Sequence, residues 1–206
     1  DRFTVMMDDE TVRQSGVQVL VAALYATVPL APNLRASIRD QLRRASDFVA
    51  RNSGEWTLAR SADEAELALA AGRRVLVLAL EGASGILEDE ADLEEFLDRG
   101  VISIVTPIHF LDDQYGGAAY MRGFRALATG SPLTWLKSWL QTPAGEIPLN
   151  PRGLTAHGLW LIQALRDRGV WIDLTHASDA SVLGISKILG PHYPWLYTHT
   201  TLRRFL

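Results

Sequence analysis

Residues 171–176 read Trp-Ile-Asp-Leu-Thr-His, and residues 195–199 read Trp-Leu-Tyr-Thr-His. Both are apolar runs that end in the dipeptide Thr-His. Between them, residues 178–190 carry a helix N-cap serine, apolar residues at helical spacing and a terminal glycine. The pattern predicts strand, helix and strand, joined by a right-handed crossover. Such a crossover places His176 and His199 at the same C-terminal edge of a parallel sheet, close enough to share one metal or to bracket one substrate.

The rest of the chain repeats this alternation of β-rich apolar runs and amphipathic helical patterns, which is typical of α/β proteins with a parallel sheet. We therefore expect a single β/α-barrel domain over residues 1–206, with a long loop excursion over residues 111–150. The predicted strands cover residues 17–25, 75–80 and 101–106 besides the two above, and the predicted helices cover residues 34–49, 61–72, 88–98 and 153–168.

The excursion is rich in Gly, Pro and aromatic residues, and it leaves the C-terminal end of the strand that precedes His109. It must then pass over the predicted site, where its aromatic side chains suit a lid and Gly116-Gly117 and Gly130 would allow bending. The alternative is an amphipathic helix from Leu133 to Leu140, packed on the barrel or on a second subunit.

Composition excludes several classes of protein. At 206 residues, 48% hydrophobic and 21% charged, the chain can bury a substantial core. A net charge of −4 with scattered basic residues argues against nucleic-acid binding. Because there is no cysteine, a metal would have to be held by His, Asp or Glu. No apolar run predicts a membrane span, and no signal-peptide pattern is present. This favours a cytoplasmic protein, although a periplasmic or secreted one whose signal peptide was removed would look the same.

Four side chains, each following a predicted strand, are the candidate site: Glu81, His109, His176 and His199. Glu81 directly follows six apolar residues, where a charge is costly unless it is used. Imidazole nitrogens and carboxylate oxygens suit zinc and similar metals, and a set at successive strand ends is what a metal hydrolase on a β/α barrel requires. The alternatives are a loop carboxylate paired with an arginine, a solvated loop histidine at His109 and hydrogen-bonded core histidines at the other two positions.

Other polar residues are expected to lie outside this site. Asp173 is predicted to point away, because strand side chains alternate and it shares no face with His176. His157 and His192 are interpreted as structural. No Gly-x-Ser-x-Gly elbow supports a serine triad, and residues 82–85 lack the elements of a phosphate-binding loop.

In their order and spacing, the motifs from about Gly72 to Arg203 resemble those of the membrane (renal) dipeptidase family, zinc peptidases of the amidohydrolase superfamily of β/α barrels. The motifs are Leu80-Glu81-Gly82, a histidine after the next strand, Gly153-Leu154-Thr155-Ala156-His157-Gly158, Asp173-Leu174-Thr175-His176-Ala177-Ser178-Asp179 and Tyr197-Thr198-His199-Thr200-Thr201-Leu202-Arg203.

The resemblance implies a role for each candidate residue. It implies that Glu81 bridges two Zn²⁺ ions of a complete site and that His176 and His199 are ligands of one of them. His109 would be the catalytic, substrate-binding histidine that contacts the developing oxyanion. The segment around His109, Pro107-Ile108-His109-Phe110, departs from the family's usual Thr-His.

The chain also departs from the family pattern at its ends. The family's His-x-Asp metal pair on the first strand does not occur before Val17, and the family's last-strand aspartate and carboxylate-binding arginine would lie beyond Leu206. Roughly five of the eight strands of a (β/α)8 TIM-type barrel are predicted, so the barrel is expected to be incomplete at both ends. Residues outside this sequence, or a partner or swapped copy such as a homodimer, would complete it.

Taken together, the sequence predicts a zinc-dependent hydrolase that cleaves dipeptides or similar small amides by a zinc-bridged hydroxide. Two alternatives stay open. One is another amidohydrolase chemistry, such as lactone or N-acyl amino acid hydrolysis. The other is a catalytically silent barrel that acts in binding or assembly.

Overall fold

The computed structural model describes residues 9–26, 31–120, 132–143, 146 and 148–199. The strands are β1 (Val19–Tyr25), β2 (Trp56–Leu58), β3 (Arg74–Glu81), β4 (Ile102–Thr106), β5 (Trp171–Asp173) and β6 (Trp195–Leu196). The helices are α1 (Asp9–Ser15), α2 (Leu34–Arg51), α3 (Ala62–Ala70), α4 (Glu90–Leu93), α5 (Pro132–Gln141), α6 (Ala156–Asp167) and α7 (Asp179–Leu189), and α4 continues as a π-helix over Glu94–Arg99.

The strands form one parallel sheet in the order β1-β3-β4-β5-β6. β1 pairs with β3 along its length, while β2 pairs with the start of β3 and β4 with its end. The predicted α/β class with a parallel sheet is confirmed. All strand ends that carry candidate residues therefore lie at one edge of one sheet.

Side-chain caps explain why several helices begin where the sequence predicts. Ser61 accepts from the backbone N–H of Glu64 at the start of α3, and Thr155 accepts from that of Gly158 at the start of α6. Ser178 caps α7 in the same way, and α7 ends at Gly190, whose φ of 74° is left-handed. Each cap satisfies an N–H that the first helical turn leaves without a partner.

One face of the sheet packs against the helices and forms the core. Leu78, Leu80 and Val105 on the sheet and Phe96 on the π-helix are fully buried in it. In the helical layer, the guanidinium of Arg35 holds the buried carboxylate of Asp92 through two hydrogen bonds of 2.7 and 2.6 Å. A paired charge of this kind is tolerated at low exposure because its hydrogen bonds replace those lost to water.

The other face of the sheet is apolar at its N-terminal end. Val21 of β1 lies beside Val77 of β3, and Ile104 of β4 beside Trp171 of β5. These side chains line an open cleft of about 400 Å³, and Val21 and Trp171 remain 48% and 46% exposed. The face that carries the candidate site at its C-terminal edge is thus incompletely covered by the residues that the structure describes.

The excursion after β4 contains α5, so the helix predicted as the alternative for Leu133 to Leu140 is present. Its side chains Leu133 and Leu140 are 79% and 69% exposed. Residues 121–131, which the lid prediction requires, lie outside the described residues. Within the described residues, no helix is both long and apolar enough to cross a membrane.

The interpretation of Gly116-Gly117 as a bending point is wrong. Both glycines are buried, and a Cβ on Gly117 would lie 2.2 Å from the backbone oxygen of Arg152. The pair is needed because another backbone segment approaches closely, and this packing fixes the loop.

Candidate metal centre

Glu81 is the last residue of β3, and its register partners are Tyr25 at the end of β1 and Thr106 at the end of β4. The next residue, Gly82, has a φ of 90°, and a Cβ there would lie 3.2 Å from the Cβ of His109. Glycine therefore lets the chain turn and lets His109 approach the carboxylate.

The structure brings all four candidate side chains together. The Nε2 atoms of His109, His176 and His199 lie 3.3, 3.5 and 3.0 Å from one oxygen of Glu81, its Oε1. The Nε2 atoms of His176 and His199 are 2.9 Å apart. Two histidines from successive β/α units thus converge on one carboxylate, as their matching strand ends predict.

The cluster is buried on one side and open on the other. The side chain of His109 is 9% exposed and its ring packs against Tyr25, with the ring centroids 4.9 Å apart. Glu81 and His176 are 21% and 17% exposed, whereas His199 is 49% exposed. A ligand can therefore reach the cluster from the His199 side.

The backbone at this edge departs from ordinary conformations. His176 has a φ of 70°, and Phe110, the residue after His109, has a φ of 51°. Left-handed backbone at a residue other than glycine is strained and persists only where its surroundings hold it. Here the backbone N–H of Ala119 donates to the oxygen of His176, and Ala118 forms an antiparallel bridge with Ala177.

The charges of the cluster favour an ionised carboxylate. The imidazole of His109, followed by that of His176, holds the pKa of Glu81 well below its usual range, although partial burial acts in the opposite direction. The Nε2 of His109 is buried and has no hydrogen-bond partner among the described residues, because its approach to Glu81 lacks hydrogen-bond alignment.

The donor set fits a divalent metal. Three imidazole nitrogens and a carboxylate oxygen that face one another repel unless a proton or a cation lies between them. Nitrogen and oxygen donors of this kind are those that zinc prefers in proteins that use no thiolate. Glu81, His109 and His176 each offer a ligand atom within 4.8 Å of the others.

The expectation that Asp173 points away from the site is wrong. Its carboxylate is 2% exposed and accepts hydrogen bonds from the hydroxyls of Thr106, Thr175 and Thr198. The register pairs Ile104 with Trp171, so Asp173 shares the face of Thr106 and Glu81. His176 is turned towards the same site because β5 has already ended and its backbone is left-handed.

The sequence profile of the membrane dipeptidase family, peptidase family M19, matches residues 2–205. The chain belongs to this family. Its fold class follows from that membership. A comparison of the sequence with curated proteins finds no match.

Solved structures with a similar fold include two metallopeptidases and an amidohydrolase. A metallopeptidase from Rhodobacter sphaeroides, liganded with a phosphinate mimic of the dipeptide L-Ala-D-Ala, is 17% identical with a TM-score of 0.70, over 94% of this chain and 56% of that one. The dipeptidase AC, a metallopeptidase of family M19, is 18% identical with a TM-score of 0.68, over 88% and 50%. An amidohydrolase from Pseudomonas aeruginosa is 14% identical with a TM-score of 0.61, over 87% and 45%. The chain thus spans about half of the length of these structures, and at these identities the likeness shows the fold alone.

Beside the cluster of Glu81 and the three histidines lies a cavity of about 390 Å³ that the sequence did not predict. Its lining includes Tyr25, Glu81, His109, Asp112 and Asp113. Tyr25 was missed as a site residue, although it ends the first apolar run just as Glu81 ends a later one. The buried edge of the cluster therefore opens into a space of substrate size.

The acid Asp113 gives this cavity wall a pH-dependent stability. Burial raises the pKa of Asp113 from 3.8 to about 6, while its Oδ1 accepts the N–H groups of Tyr115 and Gly116. Between about pH 4 and 6 the folded chain binds more protons than the unfolded chain, so the free energy of unfolding falls as pH rises.

Asp113→Asn keeps the accepting oxygen and removes the titration. We expect the variant to be more stable than wild type by about 1–3 kcal/mol at pH 7 and to lose this advantage at pH 4. Urea unfolding of both proteins at the two pH values measures the difference. An equal difference at both would contradict the raised pKa.

Proposed function

We propose that Glu81, His176 and His199 bind zinc, that His109 binds substrate, and that the protein is a hydrolase of dipeptides or similar small amides. The observation that carries the proposal is the convergence of three imidazole Nε2 atoms within 3.5 Å of one carboxylate oxygen. Membership of a metallopeptidase family supports a metal at this place.

The position of each residue determines which ligand atom it supplies to the metal. Glu81 supplies a charged carboxylate oxygen, and His176 and His199 supply nitrogens 2.9 Å apart on its open side. When bound, the zinc would polarise the scissile carbonyl and acidify a water that attacks it. Three protein ligands leave a coordination position for water or substrate, as catalytic zinc sites require.

His109 is suited to a different task. It lines the 390 Å³ cavity, and its buried Nε2 has no hydrogen-bond partner among the described residues. A donor held in this way can stabilise negative charge that develops on a substrate oxygen. The rings of Tyr25 and Phe110 fix its orientation, at centroid distances of 4.9 and 3.9 Å.

Zinc titration of the 206-residue chain tests the proposal. We expect about one equivalent to bind, since the three proposed ligands can hold one ion, and a second ion would need donors from outside the cluster. Calorimetry on metal-stripped protein measures the stoichiometry. Failure to bind zinc, or two tightly held ions without a second chain, would contradict the assignment.

Substrate class is tested with a panel of dipeptides, N-acyl amino acids and lactones, with zinc added or chelated. We expect zinc-dependent cleavage of the dipeptides in preference to the others. Preference for a lactone or an N-acyl amino acid would instead indicate another amidohydrolase reaction. Zinc binding without turnover of any compound would support a binding role.

A further inference from the structure

We propose that Asp173 is a positioning residue that acts through the hydroxyl of Thr198 to keep the ring proton of His199 on Nδ1. The Nε2 of His199, which faces Glu81, is then left with a free lone pair. The use of that lone pair for zinc rests on the proposed function above, but the placement of the proton does not.

The geometry forms a short chain of hydrogen bonds. Thr198 Oγ1 lies 2.5 Å from Asp173 Oδ2 and 2.8 Å from His199 Nδ1. On the other side of the ring, His199 Nε2 lies 3.0 Å from Glu81 Oε1 and 2.9 Å from His176 Nε2. The two ring nitrogens thus face different partners, and Asp173 is connected to only one of them.

Counting protons fixes the direction of each bond. A carboxylate only accepts, and a threonine hydroxyl carries one proton. Thr198 therefore donates to Asp173 and can only accept from His199, so Nδ1 of His199 must carry the proton. A neutral imidazole has one N–H, so Nε2 keeps its lone pair as an acceptor or a metal ligand. Without a cation, Glu81 Oε1 at 3.0 Å favours the opposite tautomer, and the link through Thr198 to Asp173 opposes it.

Several hydrogen bonds fix the orientation of the Asp173 carboxylate, so that it stays an acceptor for Thr198. Its Oδ1 accepts from the backbone N–H groups of Thr175 and Thr198, at 3.1 and 3.3 Å, and from the hydroxyl of Thr175 at 2.7 Å. The hydroxyl of Thr106 donates to Oδ2 at 3.1 Å. With donors from three strand ends around it, the buried carboxylate cannot turn away from Thr198.

The repeated Thr-His dipeptide thus serves two purposes. The hydroxyl of Thr175 donates to Asp173 and helps to hold the carboxylate, whereas the hydroxyl of Thr198 also contacts the ring of the histidine that follows it. Outer partners of this kind set the tautomer of a metal-binding histidine, and their loss typically lowers metal affinity by about 10-fold to 100-fold.

Thr198→Val tests the hydrogen-bond series at its middle residue, which connects Asp173 to His199. Valine keeps the shape and the backbone N–H but has no hydroxyl, and Thr198→Ser restores the hydroxyl. Thr106→Val is the matched control, because it removes a hydroxyl bond to Asp173 that does not lead to His199. Asp173→Asn would keep one accepting oxygen but replace the other with a donor that opposes the hydroxyls bound there, and it would also destabilise the fold, so the threonine variants decide.

The first measurement is the ¹⁵N resonance of the His199 ring in the metal-free chain, at a pH where the imidazoles are neutral. We expect the Nδ1–H form in wild type, Thr198→Ser and Thr106→Val, and a shift towards the Nε2–H form in Thr198→Val. The second is zinc affinity, which should fall by about 10-fold to 100-fold in Thr198→Val alone. Unchanged ring protons in Thr198→Val, or an equal effect of Thr106→Val, would overturn the proposal.

The two readouts separate this proposal from the proposed function. If the ring proton depends on Thr198 but wild type binds no zinc, the role of Asp173 is supported and the metal site fails. If wild type binds zinc and neither readout responds to the loss of the Thr198 hydroxyl, the metal site is supported and the role of Asp173 fails.

Discussion

Glu81→Gln is expected to lower zinc affinity by more than the roughly 100-fold that loss of an outer partner costs, and to remove hydrolysis with it. The carboxylate is the only anion in direct contact with the three histidines among the described residues, and its Oε1 is the atom on which they converge. A glutamine amide is neutral and binds zinc poorly, so the remaining imidazoles would hold the metal alone. Calorimetric titration with zinc and turnover of a dipeptide measure the two losses.

Glu66→Gln is the matched control, because it makes the same chemical change on the exposed surface of α3. It should leave zinc affinity and turnover at the wild-type level. If Glu81→Gln binds zinc as tightly as Glu66→Gln does, Glu81 is not a ligand and its burial has another reason.

Gly158→Ala is expected to destabilise the protein by about 3 kcal/mol. A Cβ on Gly158 would lie 2.0 Å from the backbone oxygen of Tyr115, which cannot move aside as a flexible side chain can. The same oxygen accepts from the backbone N–H of Thr155 at 2.9 Å, so the start of α6 is pressed directly onto the loop that borders the cavity. Chemical denaturation measures the loss in free energy of unfolding.

Gly54→Ala provides the control for this substitution. No atom lies within 4 Å of the added Cβ at Gly54, and its φ is not left-handed. The exchange should therefore change stability by less than about 1 kcal/mol. Equal stability of the two variants would mean that the contact between α6 and the loop is looser than the structure shows.

The elements that position the site could be predicted from the sequence, because their signals are local. The continuous apolar run before Glu81 became β3, and the caps Ser61, Thr155 and Ser178 mark where their helices begin. Once a parallel sheet is inferred, its geometry alone brings Glu81 and the histidines after the later strands to one edge.

The structural features that the sequence did not predict depend on tertiary structure. β2 has three residues, too few to show a period, and it forms only because Arg74–Leu76 offers a free edge. Asp173 was misplaced because alternation was counted from His176, which lies beyond the end of β5 in a left-handed conformation. Counting from Trp171 would have given the correct face, but only the register with β4 shows that Trp171 is the proper reference.

The left-handed backbone at His176 makes this position a point of local frustration. A φ of 70° costs a residue other than glycine about 1–3 kcal/mol, and glycine would adopt it without that strain. Selection for thermal stability alone would therefore favour replacing the histidine. Under the proposed zinc-binding role, the chain gives up stability to hold one nitrogen of His176 beside Glu81, so that folding and the proposed function make opposite demands on the same residue.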